Sequence, residues 1–283
     1  MIRKILVPIN GTGADRRSAA LAFTLAGQVQ AHVEGLCVTP HAEVASPVET
    51  ASLPAALGRK LLEIAEERQG AAVASARALF DELGQRHAGA SDGGAPTSAW
   101  RAEIGSPVEI IPQEARLADL TVFAREADGA DMIGPALEAT LFDSGRPVLL
   151  APLGEPATVG TTIAVAWDGG LPASRAVAAA LPLLAAATRV VILTGERPSR
   201  NRAGDPNRLA ESLSHHGVTA TIHRVADDGQ PLAKALVSAA AGLGCDLMVM
   251  GGYGHSRFRE TVLGGVTRDI VAAPPDIAIL MVH

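Results

Sequence analysis

The chain is short of cysteine, of aromatic residues and of long apolar runs, and each shortage excludes something. Its two cysteines, Cys37 and Cys245, lie far apart and in no CxxC pair. A disulfide framework and a zinc site are therefore unsupported, and a reducing compartment, the cytoplasm, is the expected home. Aromatics make up 3% of the residues although 48% are hydrophobic. A core must then be built from Ala, Val, Leu and Ile, as in layered α/β proteins. No run reaches the ~18 apolar residues that suggest a membrane span. The apolar part of Met1–Asn10 is too short for a signal peptide. A net charge of -6 argues against a nucleic-acid binder. The first 152 residues carry all of that charge and the remainder is neutral, so an anionic ligand is better sought in the second half.

What is present is a repeat. Lys4-Ile5-Leu6-Val7-Pro8-Ile9-Asn10-Gly11 and Thr162-Ile163-Ala164-Val165-Ala166-Trp167-Asp168-Gly169 are both short apolar runs ending in a small polar residue and glycine. Each is followed by an Ala/Leu-rich stretch, Ser18 to Val29 and Ala173 to Ala187. Both halves close on a proline and an apolar run, Pro147 to Ala151 and Pro275 to Val282. Two copies of one unit, residues 1–152 and 153–283, account for this, with Pro152-Leu153-Gly154-Glu155-Pro156 as the linker.

Apolar runs predict strands over 3–9, 31–38, 98–104, 119–124 and 147–151, then over 161–167, 189–194, 218–225, 245–250 and 277–282. They do not alternate apolar with polar, which suits strands covered on both faces of a parallel sheet. Helical patterns lie between them. Ser106-Pro107 marks a helix start, and Pro112 is expected to kink or shorten that helix. Leu61, Ile64, Ala65, Ala72, Ala76, Leu79 and Leu83 predict a long amphipathic helix after Gly58, laid on the sheet. It has only a short counterpart, 205–216. Residues 41–58 and 88–97 are expected to be loops. The closing strands, 147–151 and 277–282, are short and apolar edges that need cover, and are expected to pack on each other.

The chemistry concentrates in Met250 to Thr267, where Gly251, Gly252, Gly254, Gly264 and Gly265 follow a buried strand and lead into a helix from Val266. Glycines at a strand's carboxyl end let backbone N–H groups face a ligand, and a helix start offers further N–H groups and its dipole to phosphate. Thr267 adds a hydroxyl. His255, Arg257 and Arg259 also fall here, although solvated surface roles suit them as well. The spacing Gly251, Gly254, Gly264, with Asp168 ending the first strand of the same copy, resembles the nucleotide loop of the universal stress protein family. The resemblance covers both halves. It implies two tandem Rossmann-like domains of the HUP type, each a five-stranded parallel sheet flanked by helices. It also implies ATP, or a related adenine nucleotide, held by Asp168, Gly251, Gly254, Gly264, Gly265, Val266 and Thr267, with Mg²⁺ on the phosphates. The position after Gly264 is Gly265 where the family's ATP binders carry Ser or Thr. Asp168 also suits a helix N-cap.

The first copy departs further. Asn10 stands where Asp168 does, and Glu126-Ala127-Asp128-Gly129-Ala130-Asp131 replaces the glycine loop with carboxylates that repel phosphate. The expectation is a stress-response sensor or regulator with one nucleotide site, the two copies forming a pseudo-dimer open to further homodimerisation. No general base stands in the loop, which argues against fast catalysis and leaves slow hydrolysis or autophosphorylation open. Two other readings remain: a nucleotide-free interaction module, and an enzyme of a related adenine-nucleotide α-hydrolase family. Cys37 and Cys245 read as inert core thiols.

Overall fold

A computed structural model describes residues 1–40, 55–88, 96–126, 133–156, 158–195, 202–226, 229–252, 265–272 and 275–283. Ten strands form one sheet. They are β1 (Lys4–Ile9), β2 (His32–Thr39), β3 (Ser98–Ile104), β4 (Leu120–Phe123), β5 (Val148–Leu150), β6 (Thr162–Ala166), β7 (Arg189–Gly195), β8 (Ala220–Val225), β9 (Leu247–Gly251) and β10 (Ala278–Val282). Each lies within about two residues of its expected range. The spatial order is β3-β2-β1-β4-β5-β10-β9-β6-β7-β8. Every adjacent pair is parallel except β5 and β10, which run antiparallel with Leu149 opposite Leu280. The central strands are buried and almost wholly apolar, β4, β5 and β10 buried along their whole length with Thr121 of β4 the polar exception among them. The outer strands β3 and β8 are largely exposed and carry Arg101, Glu103, His223 and Arg224, which discourage further pairing at the edges.

Eight helices are described: α1 (Asp15–Val29), α2 (Ala55–Ala88), α3 (Pro107–Ala115), α4 (Gly134–Asp143), α5 (Leu171–Ala186), α6 (Pro206–Ser214), α7 (Leu232–Gly242) and α8 (Gly265–Ala272). Apolar residues of α1, α2, α5 and α6 share one core with one face of the sheet. Those of α3, α4, α7 and α8 share a second core with the other face. Helices on both faces are what a parallel sheet requires. Among the described residues no helix is long and apolar enough to cross a membrane.

Two half-buried carboxylates reinforce the repeat. Asp119, just before β4, accepts from the N–H groups of Arg3 and Lys4 at 2.7 and 3.0 Å. Asp246, just before β9, accepts from Gly160, Thr161 and Thr162 at 3.1, 3.0 and 3.1 Å. Each ties the start of its half's fourth strand to the start of its first.

Two helices differ from expectation. The long helix α2 begins at Ala55, inside the stretch expected to be a loop, and among its described side chains none is buried before Ala76. Ala76, Phe80 and Leu83 are buried, whereas Leu61 and Ile64 are each 37% exposed. Aromatic packing anchors the buried end: Phe80 meets Phe23 at 5.1 Å and Trp100 at 5.6 Å between ring centroids. The glycine at 35 makes room, since a Cβ there would stand 2.9 Å from both the Phe80 and Trp100 rings. Helix α3 starts at Pro107 as expected but runs through Pro112 to Ala115. A ring in the second turn of so short a helix removes one hydrogen bond, and burial of Ile111, Pro112 and Ala115 against the sheet outweighs it. The remaining loop expectations, 41–54 and 89–95, lie outside the described residues.

Candidate functional site

In each half the strand order reverses between the first and fourth strands, β1 and β4 or β6 and β9. Ligands of open parallel sheets bind beyond the carboxyl ends of strands at such a reversal. In the second half a cleft of about 260 Å³ opens there. Ala166, Trp167 and Asp168 leaving β6, Leu193, Thr194 and Gly195 of β7, and Met250 and Gly251 of β9 form its mouth. Leu232 and Leu236 of α7, Pro172 and Ala173 of α5, and Val266 and Thr267 of α8 complete it. The walls are apolar enough for a flat ring, and the starts of α5 and α8 bring backbone N–H groups to its rim.

Asp168, Gly251, Val266 and Thr267 thus line one cavity, as the sequence grouped them. Gly265 opens α8. Gly254 and Gly264 lie outside the described residues, as do His255, Arg257 and Arg259. Asp168 is not the N-cap of α5; Gly170 holds that position. The Asp168 carboxylate instead accepts from the Gly170 N–H at 2.7 Å, pinning the turn with one oxygen while the residue stays exposed. Gly251 has a structural reason of its own. A Cβ there would stand 2.5 Å from the Ala173 nitrogen and 2.8 Å from the Pro172 carbonyl carbon. Only glycine lets β9 end this close to the first turn of α5.

The register of the paired strands superposes the halves. Ile5 lies opposite Leu120 and Ile163 opposite Leu247. On that register Asn10 falls on Asp168, Gly11 on Gly169, Asp15 on Ala173 and Ala124 on Gly251. The two glycines share a left-handed backbone, with φ of 84° and 76°. The rest has diverged. Asp15 is buried, and its carboxylate accepts from the N–H groups of Asn10, Gly11 and Thr12, the shortest at 2.7 Å. Glu126 reaches the same turn and accepts from the Ala14 N–H at 2.7 Å. Burial, offset in part by the three N–H donors and reinforced by Glu126, pushes the Asp15 carboxyl up to about 6. The N–H groups of Asn10, Gly11, Thr12 and Ala14, which ring the turn after β1, are taken by these two carboxylates. The sequence flagged Glu126 as repulsive to phosphate. It did not flag Asp15, which reads as an ordinary first-turn helix acid. Asp128 and Asp131 lie outside the described residues.

Both cysteines are buried. Burial, with Asp15 nearby, pushes the Cys37 thiol up to about 11, and burial also raises Cys245. Neither is a thiolate nucleophile near neutral pH. A second hollow, about 530 Å³, opens on the other face of the sheet between α5 and α6, lined by Trp167, Val177, Leu181, Arg208 and His215 among others. Trp167 lines both this hollow and the first cleft.

No family model matches the chain, and no curated protein matches it. Solved structures do. A universal stress protein from Archaeoglobus fulgidus aligns over 99% of this chain and 95% of its own, at 16% identity and a TM-score of 0.66. A putative universal stress protein from Pseudomonas aeruginosa UCBPP-PA14 aligns over 99% and 93%, at 16% identity and a TM-score of 0.54. A functionally unknown protein from Pseudomonas aeruginosa PAO1 aligns over 99% and 92%, at 15% identity and a TM-score of 0.53. Identities this low speak to the fold, and the alignments take in both halves: the chain has the fold of the universal stress proteins, built twice in tandem.

Proposed function

We propose that the chain is a stress-response regulator of the universal stress protein kind that binds one ATP, or a related adenine nucleotide, in its second half. Residues 1–152 form a unit that has lost its site and residues 153–283 the unit that keeps it. The two act as a pseudo-dimer in the cytoplasm. The observation that carries this reading is the contrast at matching positions. The second-half cleft is open and lined by Asp168, Gly251, Val266 and Thr267, whereas in the first half Asp15 and Glu126 hold the backbone N–H groups of the equivalent turn. An adenine ring suits the walls of Leu193, Leu232, Leu236 and Met250. Asp168 is an acceptor suited to a ribose hydroxyl, and the first turn of α8 from Gly265 suits a phosphate. Among the described lining residues only Asp168 carries a carboxylate, so Mg²⁺ would come with the phosphates and rest chiefly on them.

Titration of the purified chain with ATP and Mg²⁺ by calorimetry should saturate near one nucleotide per chain. The variant Ala173→Asp places a carboxylate where Asp15 stands in the first half. It would take the N–H groups of the Asp168–Gly170 turn, and ATP binding should vanish. Two equal sites, or unchanged binding by Ala173→Asp, would overturn the reading. The second reading, a nucleotide-free interaction module, is favoured by one observation: Gly251 is needed by the close approach of α5 whether or not a ligand binds. Absence of any nucleotide from freshly purified, denatured protein, together with a flat titration, would put that module first.

A further inference from the structure

The turn that follows β6 is braced by a separate piece of chain. Trp167 is held at both ends. Its backbone N–H donates to the Leu193 carbonyl of β7 at 2.9 Å, and its indole Nε1 donates to the Ala203 carbonyl at 3.0 Å. Ala203 belongs to a single 3₁₀ turn, Arg202–Gly204, that leads into α6. Buried Leu209 and Leu213 fix α6 on the sheet, and Asp205 caps its start by accepting from the Asn207 N–H at 2.9 Å. The same 3₁₀ turn covers Gly169. That glycine has a φ of 76°, and a Cβ on it would stand 2.5 Å from the Ala203 carbonyl carbon and 2.6 Å from the Gly204 Cα. The residues on either side of Asp168 thus lean on one support. The first half braces its turn differently. On the shared register Ile9 takes the place of Trp167, Gly11 faces Ala72 of α2, and Asp15 accepts from the turn's N–H groups from within.

We infer that Trp167 is a positioning residue for the Asp168 carboxylate, and that the 3₁₀ turn at 202–204 is the fixed point it works against. The inference rests on the reading that Asp168 meets the ribose of a bound ATP. Trp167 and Asp168 are neighbours in the chain and both line the cleft, so the effect passes directly from one to the next. Ala173 stands where Asp15 does, and the second half therefore lacks the carboxylate that braces the first-half turn. A brace of that kind would occupy N–H groups at the mouth of the cleft. The indole bond avoids this, because Ala203 lines the hollow between α5 and α6 and not the cleft. Asp168 is exposed and has one oxygen on the Gly170 N–H at 2.7 Å. A turn free to rock would carry that carboxylate through many positions, and the freedom would have to be lost again when a ribose hydroxyl binds. Holding Trp167 and Gly169 removes the cost beforehand.

The test compares the affinity of the full chain for ATP and for 2′,3′-dideoxy-ATP, each with Mg²⁺, alongside the melting temperature of each ligand-free protein. The wild type should prefer ATP, because the dideoxy compound offers Asp168 no hydroxyl. Trp167→Phe keeps a ring in the cleft wall and removes the N–H. It should weaken ATP about fivefold, the size of one neutral hydrogen bond, and leave dideoxy-ATP within about twofold. Trp167→His returns a donor, since the imidazole Nε2 lies as many bonds from Cγ as the indole Nε1, and should bring ATP back to within about twofold of the wild type. Should the phenylalanine protein not fold, the histidine protein decides alone: folded but without the ATP preference, it overturns the inference. Unchanged ATP affinity in Trp167→Phe, or an equal loss for both nucleotides, also overturns it and spares the ATP reading. A wild type that binds both nucleotides alike overturns the inference together with the ribose role of Asp168. Failure of the wild type to bind ATP at all overturns the proposed function as well.

Discussion

Asp15 sets the state of the first half at the scale of a single residue. Its carboxyl is held near 6 in the folded chain against an ordinary value of 3.8. A folded state that keeps a proton which the unfolded chain releases is stabilised by acid. The Asp15 contribution is fully present below 3.8 and is lost as the pH rises through 6. Asp15→Asn removes that dependence. The wild type should gain on the order of 2 kcal/mol of unfolding free energy relative to Asp15→Asn between pH 7.5 and pH 4.5, read from urea unfolding at both pH values. A gap between the two proteins that stays constant would show that the buried carboxyl does not titrate in this range. Asp168, five positions before the alanine that matches Asp15, was legible from sequence because it ends an apolar run beside glycine. Asp15 was not. An acid in the first turn of a helix is common, and nothing local tells that its oxygens fold back onto Asn10, Gly11 and Thr12.

At the scale of elements, the strands were the most legible part. Their runs of Val, Ile and Leu are buried on both faces, so the chain writes them without interruption. The bounds of α2 were not legible. An amphipathic pattern states that a helix has an apolar stripe and says nothing about how much of that stripe meets a neighbour, and here Leu61 and Ile64 of the stripe stay 37% exposed. The close fit of Gly251 to α5 was equally hidden, since a glycine kept for packing and one kept for a ligand look alike in sequence. The pairing of β5 with β10 gives a direct test. Leu149 and Leu280 lie opposite one another and each is at most 1% exposed. Leu280→Ala opens a cavity between strands from different halves and should cost about 2–5 kcal/mol. Chemical denaturation should show it as a lower midpoint. A loss below about 0.5 kcal/mol would mean that the junction repacks around the gap.

For the whole molecule, continuity of the sheet predicts cooperativity. Trp100 packs on Phe80 in the first half, and Trp167 donates through Nε1 to the Ala203 carbonyl in the second. Trp100→Phe and Trp167→Phe each leave one reporter. Fluorescence from the two single-tryptophan proteins should give urea transitions that coincide once the small offset of each substitution is allowed for. Well-separated transitions would show two independently melting bodies joined at a weak seam.

The antiparallel junction has one more consequence. A contact between identical chains must satisfy every residue twice, because each side chain meets the copy of its own partner across a two-fold axis. Here residues 151–161 connect the two sides covalently. The strands thus meet at an effective concentration on the order of millimolar, fixed by the tether and independent of how much protein is present. Neither side needs to recognise itself. Val148 faces Met281 and Leu150 faces Ile279, pairings no symmetric contact would reproduce. Freed from self-recognition, the two halves can present different surfaces at the seam: one sets Leu141 and Phe142 against the other's Gly252 and His283, an unlike pairing that a symmetric contact would have to make twice.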